Sequence, residues 1–224
     1  MKITAVIFDL DGTLINSLED LAESSNEVLT KYGFEGHPIE SYKKFIGNGI
    51  RQLVKNAAPA NTEESLIDDI LRDLRSIYNK NYINKTLPYD NIQSMLEKLK
   101  ELNIKMAVCS NKPNSMTNEI VQKLLGKDYF GVIFGEREGV PRKPDPASLL
   151  EAAKYLEVEP ERTIYLGDSG GDMICARKAE MIAVGVLWGF RERDELIDCG
   201  AQILLSNPME LVEYIKMTND SNTP

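Results

Sequence analysis

Short unbroken apolar runs recur along the chain: ITAVIF near the start, then IKMAVCS around Ile104, GVIFG around Ile133, RTIYLGD around Ile164, MIAVGVLWG around Val184 and AQILL around Leu204. Strands buried on both faces read this way, and such strands are typical of parallel sheets. Stretches with apolar positions three and four apart lie between them, at 92–102 and Ala147–Leu156, as amphipathic helices require. Strands alternating with helices predict βαβ units and an α/β fold with a doubly wound parallel sheet. From 15 to 87 the pattern changes. LEDLAESSNEVLTKYG, the segment 41–46, GIRQLVKNAA and EESLIDDILRDLRSIYNKNY follow one another as four helical stretches, broken at 33–38, 47–49 and 59–62 by Gly, Pro and Asn. The expected organisation is a core of 1–14 with 88–224 and a helical insert of 15–87, placed over the carboxyl ends of the strands, where open α/β sheets bind ligands. The polar tail TNDSNTP is expected to fray.

Composition narrows the partners. With 224 residues, 42% of them hydrophobic, the chain can bury one full core and a smaller second one. A formal charge of −9 leaves no broad basic surface for a polyanion, so no nucleic-acid partner is expected. Cys109, Cys175 and Cys199, odd in number and widely spaced, fit neither a disulfide framework nor a zinc knuckle, and a reducing cytoplasmic setting is expected. MKITAVIFDLDGTL is too short and too acidic for a membrane span and has no small-residue cleavage site, which predicts a soluble, unprocessed protein without a membrane partner. His37, the single histidine, is read as a surface residue in a polar loop.

The candidate chemistry sits at strand ends. Asp9 and Asp11 stand two apart where the first run stops, so their side chains point the same way. Adjacent carboxylates repel unless a cation lies between them or one keeps a proton, and both arrangements suit phosphoryl transfer. Asp9 could attack phosphorus once a hard cation had neutralised the phosphate, and Asp11 could give and take the proton. A D-x-D-G-T segment also reads as an acidic turn capping a helix. Ser110, Asn111 and Lys112 form a polar turn into a helix, either an anion site or an ordinary N-cap. Lys143 lies in PRKPDP, a proline-stiffened loop that either fixes a cation or is simply solvated. In GDSGGD, Asp168 could complete a magnesium shell and Asp172 could hold its ligands or waters. In this order, each element following an apolar strand, the four point together to phosphate-ester chemistry.

With DLDGT at Asp9, Ser110, Lys143 and GDSGGD at Asp168, the chain resembles the haloacid dehalogenase superfamily over nearly its whole length. The resemblance implies a Rossmann-like core, Asp9 as nucleophile, Asp11 as acid and base, and Ser110, Asn111 and Lys143 at the phosphate. It further implies Mg2+ on Asp9, the main-chain carbonyl of Asp11 and Asp168, and a four-helix cap that selects substrate. Within the superfamily DLDGTLINSLEDL, FIGNGIRQLV, SNKP, RKPDP and LWGF are most similar to phosphoglycolate phosphatases. A small phosphorylated metabolite is then the expected partner and a monomer or homodimer the expected state. Alternatives are a phosphosugar mutase, a pyrophosphatase or a nucleotidase. Gly47, Asn48, Gly49 and Arg51 resemble the cap's specificity loop, though Arg51 also reads as a helix-surface charge. Asn16 departs from the aspartate usual before serine, and Asp11 argues against dehalogenase activity. Trp188 and Cys109 are read as packing residues, and Asp68, Asp69 and Asp73 as a solvated helix face.

Overall fold

The computed structural model describes residues 2–47 and 49–221. In chain order its elements begin with strand β1 (Ala5–Phe8) and the two-residue strand β2 (Ile15–Asn16). Helix α1 (Leu18–Lys31), a 3-10 helix over Ile39–Lys44, α2 (Ile50–Ala57), α3 (Glu64–Asn81) and β3 (Leu87–Pro88) follow. Next come α4 (Ile92–Glu101), β4 (Lys105–Pro113), α5 (Asn114–Ile120), β5 (Val132–Glu136), α6 (Ala147–Leu156), β6 (Thr163–Gly167) and α7 (Gly170–Lys178). β7 (Ile182–Val186), α8 (Arg193–Asp198), β8 (Ile203–Leu205) and α9 (Pro208–Asp220) complete the chain. It divides into two compact units, Met1–Leu14 with Pro88–Pro224, and Ile15–Leu87.

In the first unit the strands form one sheet in the order β5-β4-β1-β6-β7-β8, and every recorded pairing between neighbours is parallel. This is the doubly wound α/β sheet that the alternating pattern predicts. All four residues of β1 are buried, since a central parallel strand has helices on both faces. Register runs from Ala5 opposite Lys105 and Thr163 to Phe8 opposite Val108 and Leu166. The order reverses between β1 and β6, and at such a switch point the carboxyl ends of the two strands open a crevice. Cys109 is 1% exposed and packs with Ala107, Leu149 and Tyr165. Burial lifts its thiol to about 12, so it serves as a small apolar residue rather than a reactive one.

Two of the expectations change. Of the segment 41–46, residues 41–44 belong to a 3-10 helix, Ile39–Lys44, rather than to an α-helix. Within 41–46, Tyr42 and Ile46 are the buried residues, and a single α-type bond, from the Ile46 amide to the Tyr42 carbonyl at 3.1 Å, follows the 3-10 turns. Of the polar tail, residues 218–220 belong to α9, and Asn219 there accepts from the Ile3 amide at 2.7 Å and donates to the Ile3 carbonyl at 3.0 Å; 222–224 lie outside the described residues.

In the second unit, α1 and α3 bury Leu21, Val28, Ile67, Ile70 and Leu74. Asp20, 2% exposed in the first turn of α1, accepts from the amides of Lys85 and Thr86 at 3.0 and 2.9 Å and from the Thr86 hydroxyl at 2.8 Å. His37 is half-buried, its ring edge-on to Tyr42 and Phe45 and its Nε2 2.7 Å from the Ala57 carbonyl. That contact gives the C-terminal end of α2 a partner. Among the described residues no helix is long and apolar enough to cross a membrane.

Candidate active site

Asp9 follows β1 directly, and its amide extends the ladder onto the Leu166 carbonyl at 2.9 Å. The residue is thereby set at the switch point, one position past Phe8, which pairs with Val108 of β4 and Leu166 of β6. The chain then turns through Gly12, whose φ is +84°, a left-handed conformation that costs L-residues free energy. A Cβ there would also run into the Asp168 carboxylate, so glycine is needed for close approach as well as for the turn.

Around Asp9 the structure gathers Asp168 and Asp172. Each offers a carboxylate oxygen within 4.8 Å of the others, and all three residues are buried. Lys143, 6% exposed at its side chain, puts Nζ 2.7 Å from Asp9 Oδ1 and 2.7 Å from Asp172 Oδ1. It also donates to the Tyr165 hydroxyl at 2.8 Å. The contact with Asp9 is an ion pair rather than an aligned hydrogen bond, which leaves Asp9 Oδ1 with unused acceptor capacity. Burial pushes the Asp9 carboxyl up to about 7, against the opposing pull of Lys143. Burial, then the fields of Asp172 and Asp9, hold Asp168 well above the carboxylate range. Burial works against the Lys143 charge too, but Asp172 and Asp9 together outweigh it and keep the ammonium protonated.

Three buried carboxylates facing one ammonium leave excess negative charge in a low dielectric, which is unfavourable unless protons or a cation balance it. An all-oxygen donor set with an under-bonded oxygen suits a hard divalent cation. The residues present therefore fit a metal site of the kind expected from the sequence, with Asp9 and Asp168 in the trio.

Asp11 is placed differently. Its carboxylate is not in the trio; it accepts from Lys112 Nζ at 2.9 Å. Ser110 Oγ accepts from the Lys112 amide at 3.2 Å. The Asn111 side chain grips the main chain of Lys143, accepting from its amide at 3.0 Å and donating to its carbonyl at 3.2 Å. That grip holds the proline-rich loop, in which the Lys143–Pro144 peptide is cis. Asp172 closes a capping box with Ser169 at the start of α7 and accepts from Lys143, so it ties Lys143 to the Asp168 turn. In the insert, Arg51 pairs with Glu64 at 2.7 Å and with Asp68. Gly47 and Gly49 take φ of +111° and +83°. Asn48 lies outside the described residues.

Several contributors were not singled out from the sequence. Lys112 is buried beside Asp11, and Tyr165 bonds Lys143 from inside a strand. The segment after β7 buttresses both acidic turns, with Trp188 Nε1 donating to the Thr13 carbonyl at 3.0 Å and the Phe190 amide to Asp168 Oδ2 at 2.8 Å. Only the hydroxyl of Tyr165 in an otherwise aliphatic run hinted at such a role.

The sequence model for haloacid dehalogenase-like hydrolases matches residues 6–186. The phosphoglycolate phosphatase of Psychrobacter arcticus is 32% identical over 224 residues, covering 97% of this chain and 97% of that one. That of Aquifex aeolicus is 31% identical over 210 residues, covering 94% and 95%. A crystal structure of a protein from Lactobacillus delbrueckii subsp. bulgaricus matches with a TM-score of 0.91 and 29% identity, covering 96% of this chain and 99% of that one.

Proposed function

Since this chain belongs to the haloacid dehalogenase-like hydrolase family, we propose that it is a magnesium-dependent phosphatase that hydrolyses a small phosphomonoester through a phosphorylated Asp9. Phosphoglycolate is the leading substrate, because relatives at 31–32% identity over nearly the whole chain bear that activity. The observation that carries the reading is Asp9 at the crevice of the sheet, facing Lys143 and two further buried carboxylates.

Asp9 and Asp168, with the main-chain carbonyl of Asp11, would hold the ion. When bound, Mg2+ supplies charge neutralisation at the phosphoryl oxygens. Lys143 keeps Asp9 in place and supplies a second positive charge beside it. An Asp9 oxygen forms a bond to phosphorus as the ester P–O bond breaks, and the leaving oxygen takes a proton from Asp11. In the second half Asp11 removes a proton from water as the water oxygen bonds phosphorus, the Asp9–phosphate bond breaks and inorganic phosphate departs. Ser110 contributes a hydroxyl to the phosphoryl group. We assign substrate choice to the insert, where Arg51 would have to exchange Glu64 and Asp68 for a substrate anion.

The test is a panel of small phosphate esters compared by kcat/KM, with and without chelator, for the wild type and for Asp9→Asn and Asp11→Asn. The expected result is Mg2+-dependent turnover with phosphoglycolate preferred, no activity in Asp9→Asn, and a loss of about 10²-fold or more in Asp11→Asn. Wild-type rates in Asp9→Asn, or undiminished activity in chelator, would refute the proposal.

A further inference from the structure

Two lysines are buried among the described residues, Lys112 and Lys143, and the mechanism above uses only the second. An ammonium in a protein interior is unfavourable unless paired, and Lys112 meets this condition with one of the proposed reacting groups. Its side chain is 4% exposed and lies 2.9 Å from Asp11 Oδ1, whose own side chain is 14% exposed. The base of the lysine is fixed on both sides: its amide donates to Ser110 Oγ at 3.2 Å, and its carbonyl accepts from Thr117 Oγ1 at 3.1 Å. It also lies on β4, hydrogen-bonded to β1 in parallel register, so lysine and aspartate project from neighbouring strand ends.

From this geometry we infer that Lys112 is a positioning residue for proton transfer: it holds the Asp11 carboxyl where the oxygen of the leaving group is protonated. The inference rests on the role proposed for Asp11 and goes beyond it, because it assigns the placement of that acid to a residue outside the trio of carboxylates. Asp11 follows a strand end and leads into the turn at Gly12. Removing the ammonium removes the 2.9 Å contact that bears directly on the Asp11 carboxyl. A displacement of about 1 Å in a reacting group can lower a rate on the order of 10²-fold.

A purely structural ion pair and a positioning one differ in how the loss depends on the leaving group. Formation of phosphorylated Asp9 from 4-nitrophenyl phosphate expels a phenolate stable enough to leave without a proton. Expulsion of the alkoxide from 2-phosphoglycolate needs one. The experiment compares kcat/KM, which reports the steps through formation of that intermediate, for 4-nitrophenyl phosphate, phenyl phosphate and 2-phosphoglycolate. The variants are Lys112→Met, Lys112→Arg and Asp11→Asn, each first checked for folding by circular dichroism.

Lys112→Met is expected to lose about 10²-fold on 2-phosphoglycolate, an intermediate factor on phenyl phosphate and about threefold or less on 4-nitrophenyl phosphate. Lys112→Arg should recover most of the loss on the alkyl ester. An equal loss on all three esters, or no loss, would overturn the inference. If Lys112→Met does not fold, Lys112→Gln removes the charge with a smaller polar group and carries the same expectation. Asp11→Asn separates the two levels of the account. A steep leaving-group dependence in Asp11→Asn without one in the Lys112 variants refutes the positioning role alone. A flat response in Asp11→Asn refutes the acid role itself and the inference with it.

Discussion

At the scale of single residues, the site is a charge-balance problem that the chain solves only in part. Asp9, Asp168 and Asp172 are buried around one ammonium, and without a cation the Asp9 carboxyl rises from 3.8 to about 7. A carboxyl whose folded-state pKa exceeds its unfolded one binds more protons when folded in the window between the two values. Metal-free stability from this group therefore falls as pH rises from about 4 to 7, and Asp168 shifts in the same direction. A cation that binds only the folded state offsets the loss. Thermal melts should show Mg2+ raising the transition temperature more at about pH 8 than at about pH 5.5, where protons already occupy the carboxyls. An increment that is the same at both pH values would contradict this.

The same scale shows what the sequence made legible. Asp9, Asp11, Ser110 and Asp168 could be singled out because each follows an apolar run, and strand ends are where a parallel sheet exposes chemistry, while Lys143 stood out through the prolines around it. Lys112 and Tyr165 could not. Each sits within a stretch that reads as ordinary strand or turn, and the partner that gives Lys112 its meaning lies 101 residues away. The Asn111 side chain bonds the Lys143 main chain, a contact no local pattern announces.

At the scale of elements, the long apolar strands were readable and the short or irregular pieces were not. β2 and β3 have two residues each, too few for a period-2 signal, and the 3-10 helix at Ile39–Lys44 differs from an α-helix only in a ladder that composition does not reveal. The last turn of α9 looked like a polar tail because its role is met by a single side chain. Asn219 bonds both the amide and the carbonyl of Ile3, which is 1% exposed, and so closes the main-chain bonding just ahead of β1. Asn219→Ala would leave both groups buried without that partner, and should lower unfolding stability by about 1–3 kcal/mol. Urea denaturation measures this, and a change below about 0.5 kcal/mol would show that water replaces the side chain without loss.

At the scale of the whole molecule, a six-stranded sheet brings together residues from four separate stretches of chain, and the insert interrupts it immediately after the first of them. In the proposed function the residues gathered by the sheet handle the phosphoryl group. The net charge of −9 fits a small ester in a crevice rather than a polyanion on a surface. The central claim is that Asp9 itself carries the phosphoryl group between ester and water. Rapid acid quenching during turnover of 2-phosphoglycolate with Mg2+, followed by borohydride reduction and peptide mass spectrometry, tests it most directly. The account predicts an acyl phosphate trapped as homoserine at position 9 in the wild type and absent in Asp9→Asn. A phosphoryl group trapped at another residue, or active enzyme that never modifies Asp9, would contradict it.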